Sequence, residues 1–401
     1  MHITDCETFV VANPPPGKGG RYFIFLRLTT NTGITGIGEV YTASFAPETL
    51  RAMIADVFSH HIEGRDPFQI ETIWRQVYGR GYSLRPDISL MGVLSGLEMA
   101  LWDINGKALG KPIYQLLGGK VHERLRCYSY IYPKSEHAHS ASATYSDPMV
   151  AAERALDYLQ MGFTALKFDP AGSWGSFDPR MPSLERMEIS ERFCKLLREA
   201  VGTRADLLFG THGQFTTAGA IRLARRLEAY DPLWFEEPVP PEMPEEMAIV
   251  ARQTTIPIAT GERLTTKYEF ARILEHRAAG ILQFSLGRVG GILEARKISA
   301  MAEAHYAQIA PHLYCGPVVG LANIQVATMA PNFLILESIE DWSGFYTELL
   351  THPVKFDNGY IIPSTEPGLG SDLNLSVVRA HPYTGKELHL VPVERPMNHP
   401  D

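Results

Sequence analysis

The sequence predicts an α/β protein built around a parallel β/α barrel, with a smaller α+β unit in front of it. From about residue 126 onward, short apolar segments alternate with amphipathic ones. Two apolar segments, LeuTrpPheGluGluPro at 233–238 and ProIleAlaThrGlyGlu at 257–262, contain acids at their C-terminal ends. Glu236 and Glu262 are 262 − 236 = 26 residues apart, which is about one strand, helix and strand unit. Neighbouring parallel strands that bring acids to one end are typical of a barrel with a metal site there.

Composition and charge narrow the class of protein. A length of 401 residues favours one large barrel plus a smaller domain. A net charge of −8 without a Lys/Arg block argues against binding to nucleic acid or to an anionic membrane surface. The four cysteines lack paired spacing, as expected of reduced thiols in a cytoplasmic protein. No signal peptide or apolar run of membrane-spanning length is visible.

The first part of the chain reads as strands followed by helices. Residues 3–12 and 22–29 have the pattern of strands, separated by a loop rich in Pro and Gly. A third strand punctuated by Gly33, Gly36 and Gly38 follows, and apolar spacing is helical from about 47 to 117. We therefore predict a separate α+β domain at 1–125.

The barrel domain is predicted at 126–340. Its candidate strands are 126–132, 164–169, 206–212, 233–237, 257–262, 280–286, 307–313 and 333–338. Its candidate helices are 149–161, 186–201, 217–229, 243–253, 267–276, 291–305 and 317–329. Eight strands with helices between them match a β/α barrel. The longer loop at 170–184 is of the kind that often carries specificity, and the chain after 340 reads as irregular.

Five motifs together resemble a known family. They are AlaLeuTrpAsp through LeuLeuGlyGly at 100–119, GluGluPro at 236–238, GlyGluArg at 261–263, ArgValGlyGly at 288–291 and ProGlyLeuGly at 367–370. In this order they resemble the enolase superfamily, in its mandelate racemase and acid-sugar dehydratase branch. The resemblance covers almost the whole chain. It implies a modified (β/α)8 barrel of the TIM type with an N-terminal α+β capping domain, and a C-terminal segment, 341–401, that packs back on the cap.

The resemblance also implies a chemistry. Removing a proton next to a carboxylate creates an enediolate, which a divalent cation stabilises while a Lys or His takes the proton; this superfamily is a known example of the pattern. Mg²⁺ would use oxygen ligands, one acid from each of the third, fourth and fifth barrel strands. Glu236 and Glu262 match the second and third of these ligands. A bland alternative is that both acids form ion pairs at the barrel rim.

The first departure from the family lies on the third barrel strand. Counting back by the same interval, 236 − 26 = 210, places Gly210 where the first metal-binding Asp would be. His212, two residues on, should point to the same side, because strand side chains alternate. In family dehydratases a His here is the acid that helps the hydroxyl leave. We expect His212 to act in this way or to replace the lost oxygen ligand.

The second departure lies on the second strand. LysPheAsp at 167–169 stands where the racemase branch has Lys-x-Lys, and alternation keeps Lys167 and Asp169 on one face. Asp169 could be a displaced metal ligand, an unusual base, or a partner that holds Lys167. Lys167 is expected to bind or polarise the substrate carboxylate, or to pair with Asp169 or Glu237.

The third departure concerns the base. His312 matches the family's His base, but Ser285 stands where its Asp partner should be. Without that carboxylate the imidazole loses a group that would raise its pKa and fix its tautomer. His312 remains the predicted base, with Lys167 and Asp169 as alternatives. Glu337, which ends the eighth strand, matches the acid that contacts the substrate carboxylate or its enediolate.

Three residues of the cap and two beside the acids complete the candidates. Tyr41, Arg80 and Arg85 lie in loops that the family uses to cover the barrel mouth, so we expect them to bind substrate. For the arginines, plain surface positions are the alternative. Glu237 should face away from Glu236 and form a salt bridge. Arg263 should brace Glu262 or contact substrate.

The leading hypothesis is a magnesium-assisted hydro-lyase that converts a 2,3-dihydroxy sugar acid to a 2-keto-3-deoxy acid. One alternative is epimerisation or cycloisomerisation of a sugar acid, because a fold does not fix its chemistry. Another is a catalytically impaired member that binds a sugar acid or a protein, since three family residues are missing. The resemblance further implies a homo-oligomer.

Overall fold

The computed structural model describes residues 1–82, 84–134, 141–171 and 179–390, with the backbone alone at 141–143. The predicted loop at 170–184 is thus described only in part, and residues 391–401 lie outside the description. Within these ranges, no helix combines the length and apolar character that crossing a membrane requires. The four cysteines, as predicted, form no disulfide, and three of them are buried.

The N-terminal part is a three-stranded antiparallel sheet followed by four helices. The strands are β1 (Ile3–Ala12), β2 (Tyr22–Thr30) and β3 (Thr35–Val40), in the order β1-β2-β3. The helices are α1 (Pro47–His61), α2 (Ile70–Tyr78), α3 (Ile88–Leu109) and α4 (Ile113–Leu117). Helix α3 is capped at its N-terminus by Asp87, whose carboxylate accepts hydrogen bonds from the amides of Ser89 and Leu90, and at its C-terminus by Gly110 in the left-handed conformation.

Glycines let helix α3 pack directly on strand β3. A Cβ atom at Gly38 would overlap the carbonyl oxygen of Gly96, and one at Gly36 would overlap that of Ala100. Only a residue without a side chain allows this approach. Gly36 and Gly38, two of the three glycines noted around this strand, thus have a packing role.

Eight parallel strands form a closed barrel. They are β4 (Leu125–Tyr130), β5 (Ala165–Phe168), β6 (Asp206–Phe209), β7 (Trp234–Glu236), β8 (Ile258–Thr260), β9 (Ile281–Leu282), β10 (Gln308–Ile309) and β11 (Leu336–Glu337). Strands β4 to β10 pair in sequence order, β11 pairs with β4, and a bridge between Ile309 and Phe333 closes the ring. The predicted fold class is confirmed, and every strand overlaps its predicted range, although several are shorter than predicted by up to four residues at one end.

The helices that connect the barrel strands also follow the prediction. They are α5 (Ala141–Ser146), α6 (Pro148–Gln160), α7 (Leu184–Val201), α8 (Thr217–Leu227), α9 (Pro244–Ala251), α10 (Thr266–His276), α11 (Ile292–Ala304) and α12 (Pro317–Met329). Side chains of Asp147, Ser183 and Thr216 cap α6, α7 and α8, which explains why these helices begin where they do. Helix α5 was not predicted.

The chain after residue 340 is more regular than its sequence suggests. It contains α13 (Phe345–Glu348), β12 (Lys355–Asp357), β13 (Tyr360–Ile362) and α14 (Leu375–Ala380). These elements are too short for a periodic pattern to reveal them. The β12–β13 hairpin pairs antiparallel with β4 of the barrel, while a bridge between Val11 and Pro382 ties the later part to the cap.

Two buried carboxylates of the cap hold it on the barrel. Glu39 of β3 accepts hydrogen bonds from the amides of Gly316 and Val319 at the start of α12. Glu98 of α3 accepts bonds from the amides of Ile292 and Leu293 at the start of α11. The first amides of a helix have no acceptor within it, so side-chain oxygens that accept from them stabilise the start of the helix. Each carboxylate therefore fixes the N-terminus of one barrel helix.

Glu98 should make the stability of the protein depend on pH. Burial raises the pKa of Glu98 from 4.5 to about 8. Between these values the folded protein holds a proton that the unfolded chain has released, so this contribution to stability falls as pH rises from about 4.5 to about 8.

We predict that Glu98→Gln lowers the free energy of unfolding by about 1–3 kcal/mol at pH 5.5, because an amide cannot accept all three bonds from Ile292, Leu293 and Trp102. The variant should then lose less stability than the wild type on going to pH 8.5. Urea unfolding at both pH values measures this. The exposed Glu48→Gln serves as control, and an unchanged pH slope in Glu98→Gln would contradict the assignment.

Candidate active site

The candidate site lies at the C-terminal ends of the barrel strands. Lys167 belongs to β5, Glu236 ends β7 and Glu337 ends β11. Glu262 and His312 follow β8 and β10 by a few residues. In a barrel of parallel strands all these positions meet at one mouth, so the structure brings the main sequence candidates together.

A buried ammonium is at the centre of these residues. Lys167 Nζ donates to Glu236 Oε1 at 2.7 Å and lies 3.7 Å from Glu337 Oε1. The lysine is 1% exposed and lies 4.7 Å from the centre of the Tyr130 ring. Burial alone would lower the pKa of Lys167, but Glu236, Glu337 and Glu262 outweigh it and raise that pKa. The neighbouring carboxylates therefore favour the protonated ammonium form of Lys167.

Glu236 is held from both sides. Its Oε2 accepts hydrogen bonds from Trp234 Nε1 at 3.1 Å and from Gln283 Nε2 at 2.8 Å, while Oε1 faces Lys167. Burial raises the pKa of Glu236 despite the positive charge of Lys167. Three N–H donors thus occupy most of the acceptor positions of this carboxylate.

Glu262 faces two histidines. Its Oε2 lies 3.3 Å from His312 Nε2, and its Oε1 lies 4.0 Å from His212 Nε2. Burial lowers the pKa of His312 to about 3 and that of His212 to about 4. Burial opposes ionisation of Glu262 as well, but His312, His212 and Lys167 hold the pKa of Glu262 below its usual range. The lowered pKa values favour uncharged imidazoles at neutral pH, where Lys167 and Arg288 are the charged neighbours that keep Glu262 ionised.

The ring of His312 is fixed by the cap. Tyr41 stacks on it with ring centres 6.0 Å apart and an angle of 23° between the planes. Ser285, which replaces the family's Asp, makes no hydrogen bond to His312, and among the described residues neither Ser285 Oγ nor His312 Nδ1 has a partner. The carboxylate next to this histidine is thus supplied by Glu262.

Arg288 belongs to the site but was not predicted as a site residue from the sequence. Its guanidinium lies 3.9 Å from the centre of the Tyr41 ring, and it donates to the carbonyl oxygen of Glu262 at 3.2 Å. The side chain is buried, and its Nε has no acceptor among the described residues. Its position as the first residue of the ArgValGlyGly motif could have indicated from the sequence that Arg288 belongs to the site.

Asp169 fills the space next to Gly210. A Cβ atom at Gly210 would overlap Asp169 Oδ1 and would lie 2.7 Å from the hydroxyl of Tyr130. That hydroxyl donates to Asp169 Oδ1 at 3.0 Å. Burial raises the pKa of Asp169 to about 7. The structure leaves no room for a side chain at 210 while Asp169 keeps this position.

Glu237 and Arg263 form a separate pair. Glu237 has a φ of 40°, a conformation that L-residues rarely adopt, at the end of β7. Its Oε2 accepts a bond from Arg263 at 2.9 Å, and Arg263 also donates to the carbonyl oxygen of His212 at 3.1 Å. Arg263 thus braces the loop that carries His212. Its hydrogen bonds go to Glu237 and to the His212 carbonyl, whereas the sequence predicted that it would brace Glu262 or contact substrate.

The two cap arginines are not part of this cluster. Arg80 pairs with Asp56 of helix α1, and Arg85 is exposed. Neither has a described contact with the residues at the barrel mouth, so their predicted role in substrate binding stays a prediction.

The C-terminal segment contributes a histidine, His389, that was not predicted to lie near the site. His389 is buried, and its Nδ1 lies 2.9 Å from the carbonyl oxygen of Tyr22. Its ring meets the edge of the Tyr41 ring at 5.2 Å. This residue backs the tyrosine that stacks on His312. No local pattern in the sequence links positions so far apart.

The donors at the mouth do not form the three-carboxylate site that Mg²⁺ takes in the family. Position 210 has no side chain, Glu236 is bonded to three N–H donors, and Glu262 faces two imidazoles. Across the part of the chain that the structure describes, no group of three or more His, Cys, Asp or Glu side chains is arranged to hold a metal ion.

Comparison with known proteins agrees with this architecture. Residues 17–118 match the mandelate racemase / muconate lactonizing enzyme N-terminal domain, and residues 150–377 match the enolase C-terminal domain-like family. Members of the superfamily generally use Mg²⁺.

Individual relatives are similar over nearly the whole chain. The D-xylonate dehydratase of Haloferax volcanii is 33% identical over 96% of this chain and 90% of its own length. The D-galactonate dehydratase of Verminephrobacter eiseniae is 34% identical over 94% of both chains. A crystal structure from Labrenzia alexandrii DFL-11, assigned to the mandelate racemase/muconate lactonizing enzyme family, is 64% identical with a TM-score of 0.95, over 98% of this chain and 100% of that one. This chain belongs to the enolase superfamily, in its mandelate racemase and acid-sugar dehydratase branch, and is an enzyme of the hydro-lyase class.

Proposed function

We propose that this enzyme dehydrates a sugar acid. It would remove the α-proton of a 2,3-dihydroxy carboxylate and expel the 3-hydroxyl as water, and the resulting enol would become a 2-keto-3-deoxy acid. The observation that carries the proposal is the pair of imidazoles, His312 and His212, whose Nε2 atoms lie 3.3 and 4.0 Å from the two oxygens of Glu262. Relatives named for D-xylonate and D-galactonate support this substrate class.

His312 is the base in this proposal. Burial lowers the pKa of His312 and so favours the neutral imidazole at pH 7, whereas the nearby Glu262 raises that pKa and so strengthens the imidazole as a base for the α-proton. The imidazolium that forms lies 3.3 Å from Glu262 Oε2, so an ionised carboxylate stabilises the positive charge. Tyr41 keeps the ring plane fixed by stacking on it.

Two fixed cations serve the substrate carboxylate and its enediolate. Lys167 is buried at the mouth, and Arg288 has a buried Nε without an acceptor among the described residues. Preorganised positive charge in a dry site stabilises developing negative charge more strongly than water does. Glu337 accepts a bond from the amide of Leu313 at 2.7 Å, and its Oε1 lies 3.7 Å from Lys167 Nζ.

His212 is the acid that helps the hydroxyl to leave. Burial lowers its pKa to about 4, whereas Glu262 raises that pKa. An anionic substrate adds another negative charge and so favours the imidazolium. The protonated ring then delivers a proton to the departing hydroxyl.

The assembly and the location of the protein are also proposals. We propose a homo-oligomer in the cytoplasm that acts on a small sugar acid and binds neither nucleic acid nor membrane. Family resemblance supports the homo-oligomer. The composition and charge of the chain support the cytoplasmic location and the lack of binding to nucleic acid or membrane.

We predict that His312→Asn lowers turnover of a sugar-acid substrate about 10²–10⁴-fold, because a general base is lost. The measurement is 2-keto acid formation across pentonates, hexonates and aldarates. His305→Asn changes an exposed histidine and should leave the rate unchanged. A rate for His312→Asn within threefold of the wild type would exclude His312 as the base.

We predict that His212→Asn separates the two halves of the reaction. In heavy water the variant should still exchange the α-proton of the substrate, because His312 remains, while 2-keto acid formation falls at least about 10²-fold. NMR follows the exchange, and a colorimetric assay follows the keto acid.

His312→Asn is the matched comparison, since it should lose both activities. Exchange by the wild type without any keto acid would instead favour epimerisation or cycloisomerisation. Binding of a sugar acid without exchange or turnover would indicate a catalytically impaired member.

A further inference from the structure

Three features of the barrel mouth bear on the cation that stabilises the substrate carboxylate. The first is the position of the missing third ligand. A side chain at 210 would collide with Asp169 and Tyr130, so the space is filled by a hydrogen-bonded pair, Tyr130 at the end of β4 and Asp169 directly after β5. Position 210 therefore lacks a carboxylate, and in addition Asp169 and Tyr130 occupy the space that a side chain there would need.

The second feature is the use of Glu236. A carboxylate has about four acceptor positions, and N–H donors from Lys167, Trp234 and Gln283 take three of them in Glu236. Mg²⁺ requires oxygen ligands at about 2.0–2.1 Å in a nearly octahedral arrangement. A metal at Glu236 would have to approach an ammonium only 2.7 Å from Oε1, and two cations so close repel strongly where water is excluded.

The third feature is the use of Glu262. Both oxygens face imidazoles, and Arg288 holds the backbone carbonyl of the same residue. Because Ser285 supplies no carboxylate to His312, Glu262 is the acid that partners the base. If Glu262 were bound to a metal ion, the ion would neutralise part of its negative charge, and less would remain to stabilise protonated His312.

We propose that the ammonium of Lys167 takes the place of the divalent cation in this enzyme, so that turnover needs no bound metal. Lys167 is positioned for this, since it contacts one family metal position, Glu236, and lies 3.7 Å from Glu337, the acid next to the substrate carboxylate in the family. Glu262 is then free to serve His312. The statement about turnover rests on the proposed dehydratase function, whereas the statement about metal binding does not.

Metal binding is tested directly by titrating Mg²⁺ into chelator-treated protein in a calorimeter, with Mn²⁺ followed by electron paramagnetic resonance as a second probe. The wild type should show no stoichiometric site through the millimolar range. Stoichiometric binding that Glu236→Gln abolishes would overturn the proposal. If Asp169→Asn abolishes it as well, Asp169 has become the third ligand in place of residue 210.

A gain-of-binding variant sharpens the test. Gly210→Asp together with Asp169→Gly restores a carboxylate on β6 and removes the side chain that would collide with it. This double variant should bind Mg²⁺ at least tenfold more tightly than the wild type. Gly280→Asp is the matched control, because Gly280 is exposed and a Cβ there meets no atom within 4 Å. A double variant that gains no more affinity than Gly280→Asp would count against the proposed reason for the loss of the site.

The catalytic half is tested on any sugar acid that the wild type turns over. The rate in excess chelator should equal the rate with added Mg²⁺, and Lys167→Gln should lower kcat at least a hundredfold without rescue by Mg²⁺. Loss of activity in chelator with recovery on adding Mg²⁺ would overturn the proposal. If no sugar acid reacts, the dehydratase function fails, but the metal titrations still decide whether a cation binds.

Discussion

The barrel mouth is arranged around one buried charge, the ammonium of Lys167. A buried ammonium is unfavourable unless carboxylates and hydrogen-bond acceptors surround it. Glu236 provides the short contact of 2.7 Å, and Glu337 provides a second negative charge at 3.7 Å. Gln283 and Trp234 then hold the far oxygen of Glu236. The geometry of four barrel strands is thus tied to the position of a single cation.

The docking of the cap is part of the same arrangement. Glu39 bonds the first amides of α12, directly after the loop that carries His312, and Tyr41 lies only two residues beyond Glu39. The backbone amide of Tyr41 also donates to the carbonyl oxygen of Gly287 at 3.2 Å, next to Arg288. One anchor therefore fixes the stack of Tyr41 on His312 and the guanidinium over Tyr41. Burial raises the pKa of Glu39 to about 8, although the hydrogen bonds from Val319 and Gly316 lower it.

Much of the fold and part of the site could be predicted from the sequence, for identifiable reasons. Apolar runs that end in acids reveal strands and the mouth of a barrel, and so Glu236, Glu262 and Glu337 could be placed at one end. Pairings within the site could not be predicted, because alternation gives the face of a strand but not the rotamer that joins Lys167 to Glu236. His389 was missed because its partner Tyr22 lies 367 residues away, a separation that no local pattern reports.

The two unusual residues at the ends of strands β6 and β9, Gly210 and Ser285, have a common explanation. Each removes a carboxylate that the family uses, one for a metal and one for the base. If only the carboxylate at 210 were lost, Glu262 would remain a metal ligand without a metal ion to bind. If only the Asp at 285 were lost, His312 would have no partner while Glu262 stayed bound to a metal. With both changes together, Glu262 pairs with His312 at 3.3 Å and Lys167 keeps its positive charge beside Glu236. If Lys167 takes the place of the metal, as proposed, each change makes the other tolerable, and the two together form one rearrangement of charge at the barrel mouth.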